Sequence, residues 1–288
     1  MRSAELVFVR RGKVRDLYRW GDELWLVASD RISAYDVVLE SEIPEKGKIL
    51  TQLSRFWFEL LSHICPHHVL SYDLPEEFKF EKPDWEGRLM RCRETAVIPM
   101  ECVVRGYLAG SAWEEYRQKG TVGGYIMPKG LREAEKLPEP LFTPARKNPY
   151  GHDENLNEQE AREWVGEKLF EKLREISISL YKAAARHSAE RGLILADTKF
   201  EFGMLEGQVV WIDEALTPDS SRYWDRDSYI PGQAPKSFDK QHIREYLKKL
   251  KNWHGNPVPL PEEVIEGTRK RYECAWLKIT GRMWRRQE

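Results

Sequence analysis

Leu195-Ala196-Asp197-Thr198-Lys199-Phe200-Glu201-Phe202-Gly203 alternates between charge and bulk in a way that an extended chain can use. With the side-chain period of two of a β-strand, Asp197, Lys199 and Glu201 project from one face while Thr198, Phe200 and Phe202 project from the other. Three charges backed by an aromatic face predict a strand that closes a core on one side and lines a polar site on the other. The next run, Val209 to Glu214, reads as its partner. A loop from Met204 to Gln208 places Trp211 and Asp213 on one face, with Asp213 across from Lys199 and diagonal to Glu201. At such a diagonal, about 7–8 Å, two carboxylates can converge on one Mg2+ held between phosphates. A solvated face with a cross-strand salt bridge is the competing reading.

Strands dominate upstream. Leu6 to Val9, Gly12 to Arg19 and Glu23 to Ala28 read as strands with a turn at Trp20-Gly21-Asp22, and Thr95 to Val104 as a further strand. Helices dominate later. Leu50 to Ile64 carries Leu53, Phe56, Trp57, Leu60, Leu61 and Ile64 at helical spacing. Ser111 to Gly120 opens with the Ser-x-x-Glu pattern of a capping box, and Asn157 to Arg191 opens with a second such box at Glu160, with Gly166 as a break. Leu137 to Gly151, with Pro138, Pro140, Pro144 and Pro149, reads as a long functional loop. Helices over Asp239 to Leu250 and from Pro261 to the basic end at Lys278, Arg282 and Arg285 close the chain. Strands first and helices later predict an α+β fold with a β-rich lobe and a mixed lobe.

The 288 residues are enough for one large domain or two lobes, and 46 basic against 47 acidic residues leave a net charge of -1. That balance argues against a polyanion or membrane-surface binder, so no nucleic-acid or membrane partner is expected. No apolar run is long enough to span a bilayer and no signal-peptide core follows the first residues, so a soluble, cytoplasmic protein is expected. Cys65, Cys92, Cys102 and Cys274 form no Cys-x-x-Cys pair and read as reduced thiols. His63, Cys65, His67 and His68 have no second ligand group at zinc spacing and read as a polar loop beside Pro66.

Two more constellations suggest anion binding. Val97 to Arg105 leads into Gly106-Tyr107-Leu108-Ala109-Gly110-Ser111, where Gly110 permits close approach, Ser111 opens a helix and Arg105 stands near the strand end: a phosphate seat. Arg11-Gly12-Lys13-Val14-Arg15-Asp16 puts Lys13 and Arg15 on one strand face beside a glycine, where two cations can meet a polyphosphate. Neither a Walker A loop, a dinucleotide fingerprint nor a nucleophile elbow is present.

Taken together, Gly12 to Asp16, Ser29 to Val38, Ile43 to Gly47, Val97 to Ser111, Phe142-Thr143-Pro144, Gly151 to Asn155, Leu195 to Gly203 and Trp211 to Trp224 resemble the SAICAR synthetase family of purine biosynthesis. The resemblance implies an ATP-grasp-like two-lobed fold: a β-rich nucleotide-binding lobe over residues 1–105, and an α+β lobe over 106–288 with the metal and ribotide sites and C-terminal packing helices. It implies an ATP-dependent ligase joining L-aspartate to 5-amino-1-(5-phosphoribosyl)imidazole-4-carboxylate through an acyl phosphate, with Mg2+ as cofactor, acting as a monomer or homodimer on small molecules. Carried over by position, Lys13 and Arg15 meet the ATP phosphates, and Glu101 and Val103 lie near adenine along the lobe connection. Glu201 and Asp213 hold Mg2+. Arg105, Ser111 and Arg222 seat the ribotide phosphate, Lys199 faces the reacting carboxylate, and Asp36 and Lys147 belong to substrate-binding loops.

One stretch departs from the family pattern. Where its members commonly carry Thr-Pro-x-Thr-Lys-x-Glu, this chain has Thr143-Pro144-Ala145-Arg146-Lys147-Asn148-Pro149. Arg146 and Pro149 at the Thr and Glu positions motivate an alternative, a related ligase of specialised nucleoside metabolism with another amine or azole acid. A non-catalytic ATP or phosphoribosyl sensor is a third reading.

Overall fold

In the computed structural model, which describes residues 5–147, 153–251 and 253–285, the strands Leu6–Arg11, Arg15–Trp20, Glu23–Ala28, Leu89–Arg93 and Val69–Ser71 form one antiparallel sheet in that order. Alternation along Glu23–Ala28 serves two cores. Leu26 packs into the main core, with the helix Lys46–Leu61, while Trp25 and Val27 join Leu74 and Leu89 beneath Phe78 and Trp85. That helix starts four residues before the expected Leu50. Its buried stripe runs through Ile49, Leu50, Leu53, Trp57, Phe58 and Leu61, and Leu60 falls on the exposed side. Each large side chain so buried contributes about 1.5–3 kcal/mol.

A second sheet is built around the 13-residue strand Leu193–Leu205. One edge of this long strand pairs with Met100–Tyr107 and Ala96–Val97, the other with Ser221–Asp225 and Gln208–Ile212. The helix Glu167–Ala189 covers one face of the sheet, and its Tyr181 hydroxyl donates to the Leu195 carbonyl at 2.7 Å. A Cβ on Gly106 would stand only 1.9 Å from that hydroxyl, which is why the strand carries glycine there. Asn157 and Glu160 form the expected capping box, and Gly166, at φ 87°, divides the helix Glu158–Val165 from Glu167–Ala189.

The alternation of the long strand is not continuous. Leu195 pairs with Tyr223 but Asp197 pairs with Arg222, so Ala196 is an extra residue, a β-bulge. Before it Leu193 and Leu195 face the main core; after it Phe200 and Phe202 do. The one-residue slip turns Asp197, Lys199 and Glu201 away from that core.

One expectation is corrected. The segment after Leu137 is not all loop: Lys136–Phe142 and Ala145–Arg146 run along the outer edge of Met100–Tyr107. Pro138 and Pro140 fall where that pairing is interrupted, between Lys136 and Leu141, so neither is asked for a ladder N–H. Met100–Tyr107 belongs wholly to the second sheet, and the change of sheet comes between Arg93 and Ala96.

Candidate active site

The face of the second sheet turned away from the helix Glu167–Ala189 carries a row of charge that the register explains. Arg105 lies directly opposite Asp197, and Asp197 directly opposite Arg222, so three neighbouring strands place cation, anion and cation side by side. Arg105 donates from Nη1 to Asp197 at 3.3 Å, from Nε to the Thr143 hydroxyl at 2.9 Å and from Nη2 to the Ser111 hydroxyl at 3.1 Å. Arg222 donates to the same Asp197 oxygen. Burial pulls the Arg105 pKa below its ordinary value, while Asp197 holds that of Arg222 above it.

Gly110, at φ 55°, passes so close to Arg222 that a Cβ would stand 2.4 Å from its Nη2. Gly110, not Ser111, is the N-cap of the helix Ser111–Lys119, and the expected capping box does not form. The Ser111 hydroxyl is taken by Arg105 instead. The helix nonetheless ends at Gly120 as expected, at φ 72°.

Further along the same face stand Glu101, Val103, Lys199 and Glu201. Lys199 pairs with Glu101 at 2.6 Å and reaches Asp153 at 3.9 Å. Burial raises the Glu101 pKa against the pull of Lys199. Val103 pairs in register with Lys199, and its carbonyl accepts the Thr143 N–H at 2.8 Å. The connection between the sheets runs through Glu94 and Thr95, and Glu101 and Val103 follow it on Met100–Tyr107 of the second sheet.

Glu201 and Asp213 lie near enough for their charges to act on one another, with Asp213 placed by a route different from the expected one. The hairpin turns on two residues, Glu206 and Gly207, both at positive φ, and the register sets Glu201 opposite Ile212 and Phe202 opposite Trp211. Trp211 therefore faces the aromatic core, with its ring 5.4 Å from that of Phe200, and strict alternation would send Asp213 the same way rather than across from Lys199. Asp213 instead adopts a left-handed backbone, φ 64°, just past the strand end. Its carboxylate meets Arg15 at 2.6 Å, and its charge, after burial, is the main reason the Glu201 pKa rises to about 7.

Cations from both lobes balance this pair. Lys147 bonds Glu201, and Arg15 bridges Asp213 and Glu214, the latter at 3.3 Å. Burial opposes the Arg15 charge, but the two carboxylates outweigh it and push its pKa above the ordinary value. Lys13 does not share a strand face with Arg15: it sits in the turn before Arg15–Trp20 and pairs with Asp36, at the tip of the hairpin between Arg31–Ala34 and Val37–Glu42. Tyr35 and Asp36 are both left-handed there, the geometry of a tight two-residue turn.

Arg146 points elsewhere. Its guanidinium lies 4.0 Å from the centre of the Trp164 ring and 3.9 Å from Glu154. Asn148, Pro149 and the start of the Gly151 to Asn155 segment lie outside the described residues.

Three features of the site escaped sequence reading: the bulge at Ala196, Glu214 as a second partner of Arg15, and His68. The last is 3 % exposed, burial lowers its pKa to about 4, and its Nε2 accepts the Asp213 N–H at 3.2 Å. Among the described residues no three His, Cys, Asp or Glu side chains gather as a metal site. Two hard carboxylates whose like charges act on one another are the donor type that suits an Mg2+ sharing its shell with water and phosphate oxygens.

A family model described as SAICAR synthetase matches residues 8–259. The phosphoribosylaminoimidazole-succinocarboxamide synthase of Syntrophotalea carbinolica is 49% identical over 282 residues, covering 96% of this chain and 95% of its own. That of Syntrophobacter fumaroxidans is 46% identical over 281 residues, covering 96% and 93%. Among solved structures, the SAICAR synthase of Saccharomyces cerevisiae complexed with SAICAR superposes with a TM-score of 0.89 at 42% identity, over 98% of this chain and 97% of that one.

Proposed function

This chain belongs to the SAICAR synthetase family, and from that membership we infer an ATP-dependent ligase of purine biosynthesis. It joins L-aspartate to the carboxylate of 5-amino-1-(5-phosphoribosyl)imidazole-4-carboxylate, giving SAICAR, ADP and phosphate. The observation that carries the residue roles is the charged row on the face of the second sheet away from the helix Glu167–Ala189, where Arg105, Asp197 and Arg222 adjoin Lys199, Glu201 and Asp213.

A carboxylate is a poor acyl donor. Its oxygen therefore bonds to the γ-phosphorus of ATP as ADP leaves; the aspartate amine then attacks the carbonyl carbon, the amide forms and phosphate departs. Such chemistry needs positioning and charge compensation more than a protein nucleophile. Arg105, Arg222 and the Ser111 hydroxyl seat the ribotide phosphate. Lys199, turned from Glu101, faces the reacting carboxylate, with Glu101 and Val103 lining the floor. Lys13 and Arg15 approach the ATP phosphates from the first sheet, and Asp36 and Lys147 close over the substrates. Glu201 and Asp213 would hold Mg2+, which offsets the charge of phosphoryl transfer.

Arg146, stacked on Trp164, supplies no reason to choose another amine, which favours aspartate. No helix among the described residues is long and apolar enough to cross a membrane. We place the enzyme in the cytoplasm, as a monomer or homodimer acting on small molecules alone. ADP release by the purified chain is expected only with ATP, Mg2+, the ribotide and aspartate together. Release that is indifferent to the ribotide overturns the assignment, and equal release with other amines overturns the choice of aspartate.

A further inference from the structure

The segment Pro66-His67-His68 is gripped from both sheets. The Trp211 N–H donates to the Pro66 carbonyl at 2.8 Å and the His68 N–H to the Trp211 carbonyl at 3.1 Å, a short parallel bridge onto the strand that ends at Ile212. The next donor on that edge is the Asp213 N–H. Its backbone acceptor in a continued ladder would be the His68 carbonyl, but that carbonyl turns to the first sheet and accepts the Arg93 N–H at 2.8 Å. The His68 imidazole takes its place, with Nε2 accepting the Asp213 N–H at 3.2 Å.

The substitution matters because of what Asp213 does with its backbone. A non-glycine residue in the left-handed region costs of order 1–2 kcal/mol, and such strain persists only where surrounding contacts hold it. At φ 64° it turns the carboxylate off the aromatic face, where alternation after Trp211 would send it, toward Glu201 and Arg15. His68 is buried, and its main chain is pinned from both sides. Its acceptor is thus in a fixed place from which to hold that conformation.

We propose that His68 is a positioning residue for the metal-binding carboxylate: its Nε2, by accepting the Asp213 N–H, keeps Asp213 left-handed and its side chain on the cleft side. The proposal rests on the reading of Asp213 as an Mg2+ ligand. It also gives the metal site a link to the first sheet, because the same residue bonds Arg93.

The test compares His68→Leu, which removes the acceptor, with His68→Gln, which restores one at a similar reach. Mn2+ serves as the probe, its binding to the full chain with ADP followed by electron paramagnetic resonance. Outer partners of metal ligands typically contribute 10–100-fold to metal affinity. His68→Leu is therefore expected to weaken Mn2+ at least about 10-fold and to raise the half-saturating Mg2+ concentration for ADP release in proportion, with the aspartate KM unchanged; His68→Gln should stay within about 3-fold of the parent. Equal impairment of the two variants, or wild-type Mn2+ affinity in a folded His68→Leu chain, overturns the proposal. Should His68→Leu fail to fold, amide exchange in the unaltered chain decides: protection at the Asp213 N–H is expected, and exchange there at the rate of an open loop overturns it. Asp213→Asn separates the two levels. If it leaves Mn2+ affinity unchanged, the ligand reading falls and the metal role of His68 with it; if it weakens Mn2+ while His68→Leu does not, only the role of His68 falls.

Discussion

Replacing Asp197 by Asn tests whether the Arg105 and Arg222 pair is built for an external anion. Asp197 is 6 % exposed and pairs with both guanidiniums, so the trio carries a net charge of one plus. Asn keeps the shape and an acceptor but leaves two cations facing each other across one strand. Removing one partner from a buried ion pair costs about 3–5 kcal/mol. The lower end applies here, because Arg222 is partly exposed and Asn still accepts one bond. A loss of about 3 kcal/mol lowers the unfolding midpoint by roughly 6–10 °C for a chain of this order of size. The ribotide phosphate should supply the missing charge. At a hundred times its Kd, a ligand stabilises its protein by about 2.7 kcal/mol. In Asp197→Asn the phosphate meets two plus charges instead of one, so the stabilisation by ribotide should exceed that of the parent by about 1 kcal/mol or more. Thermal and urea unfolding with and without ribotide at fixed concentration read these quantities. An unchanged ligand-free midpoint, or a loss of the same size with and without ribotide, would refute the phosphate seat.

Two further outcomes are expected. Glu201→Gln should trade function for stability: burial and Asp213 raise the Glu201 pKa to about 7, so folding disfavours its ionised form and the group costs stability as pH rises from its unfolded value toward that figure. The variant should unfold later than the parent at pH 8, by about 1–3 kcal/mol, show no such gain at pH 4 and lose Mg2+-dependent turnover; equal midpoints at pH 8 would contradict the assignment. Asp219→Asn should behave oppositely. This carboxylate meets Lys46 at 3.0 Å, Lys240 at 3.1 Å and the Tyr272 hydroxyl at 2.5 Å, and although burial pushes its pKa up, the two lysines outweigh burial and hold it well below the ordinary value. A depressed pKa gives stability that is present above the unfolded value and lost on acidification, so the variant should lose about 3–5 kcal/mol at pH 7, with the gap closing below about pH 4 in urea melts.

The α+β class, most element positions and the residues of the charged face follow from local patterns, because a strand with charge on one side and phenylalanines on the other has one way to lie on a core. The capping box at Asn157 and the break at Gly166 were equally legible, since both act within a single turn of chain. The resemblance to the SAICAR synthetases rests on contiguous motifs, and these too belong to the sequence alone.

Tertiary structure decided the placements that depend on register and on which backbone polar groups remain to be paired. The bulge at Ala196 reverses the facing of half a strand, yet it leaves no mark in composition, since Ala196 is an ordinary strand residue until Arg222 and Tyr223 are counted against it. Asp213 reaches Glu201 through a left-handed backbone that strand periodicity forbids, and what holds it there is an imidazole far away in sequence, at His68. In the chain His68 was one of four polar residues beside a proline. Its role arises where its carbonyl turns to the Arg93 N–H of the first sheet and its imidazole meets the Asp213 N–H beyond the second, an arrangement that exists only when two sheets meet.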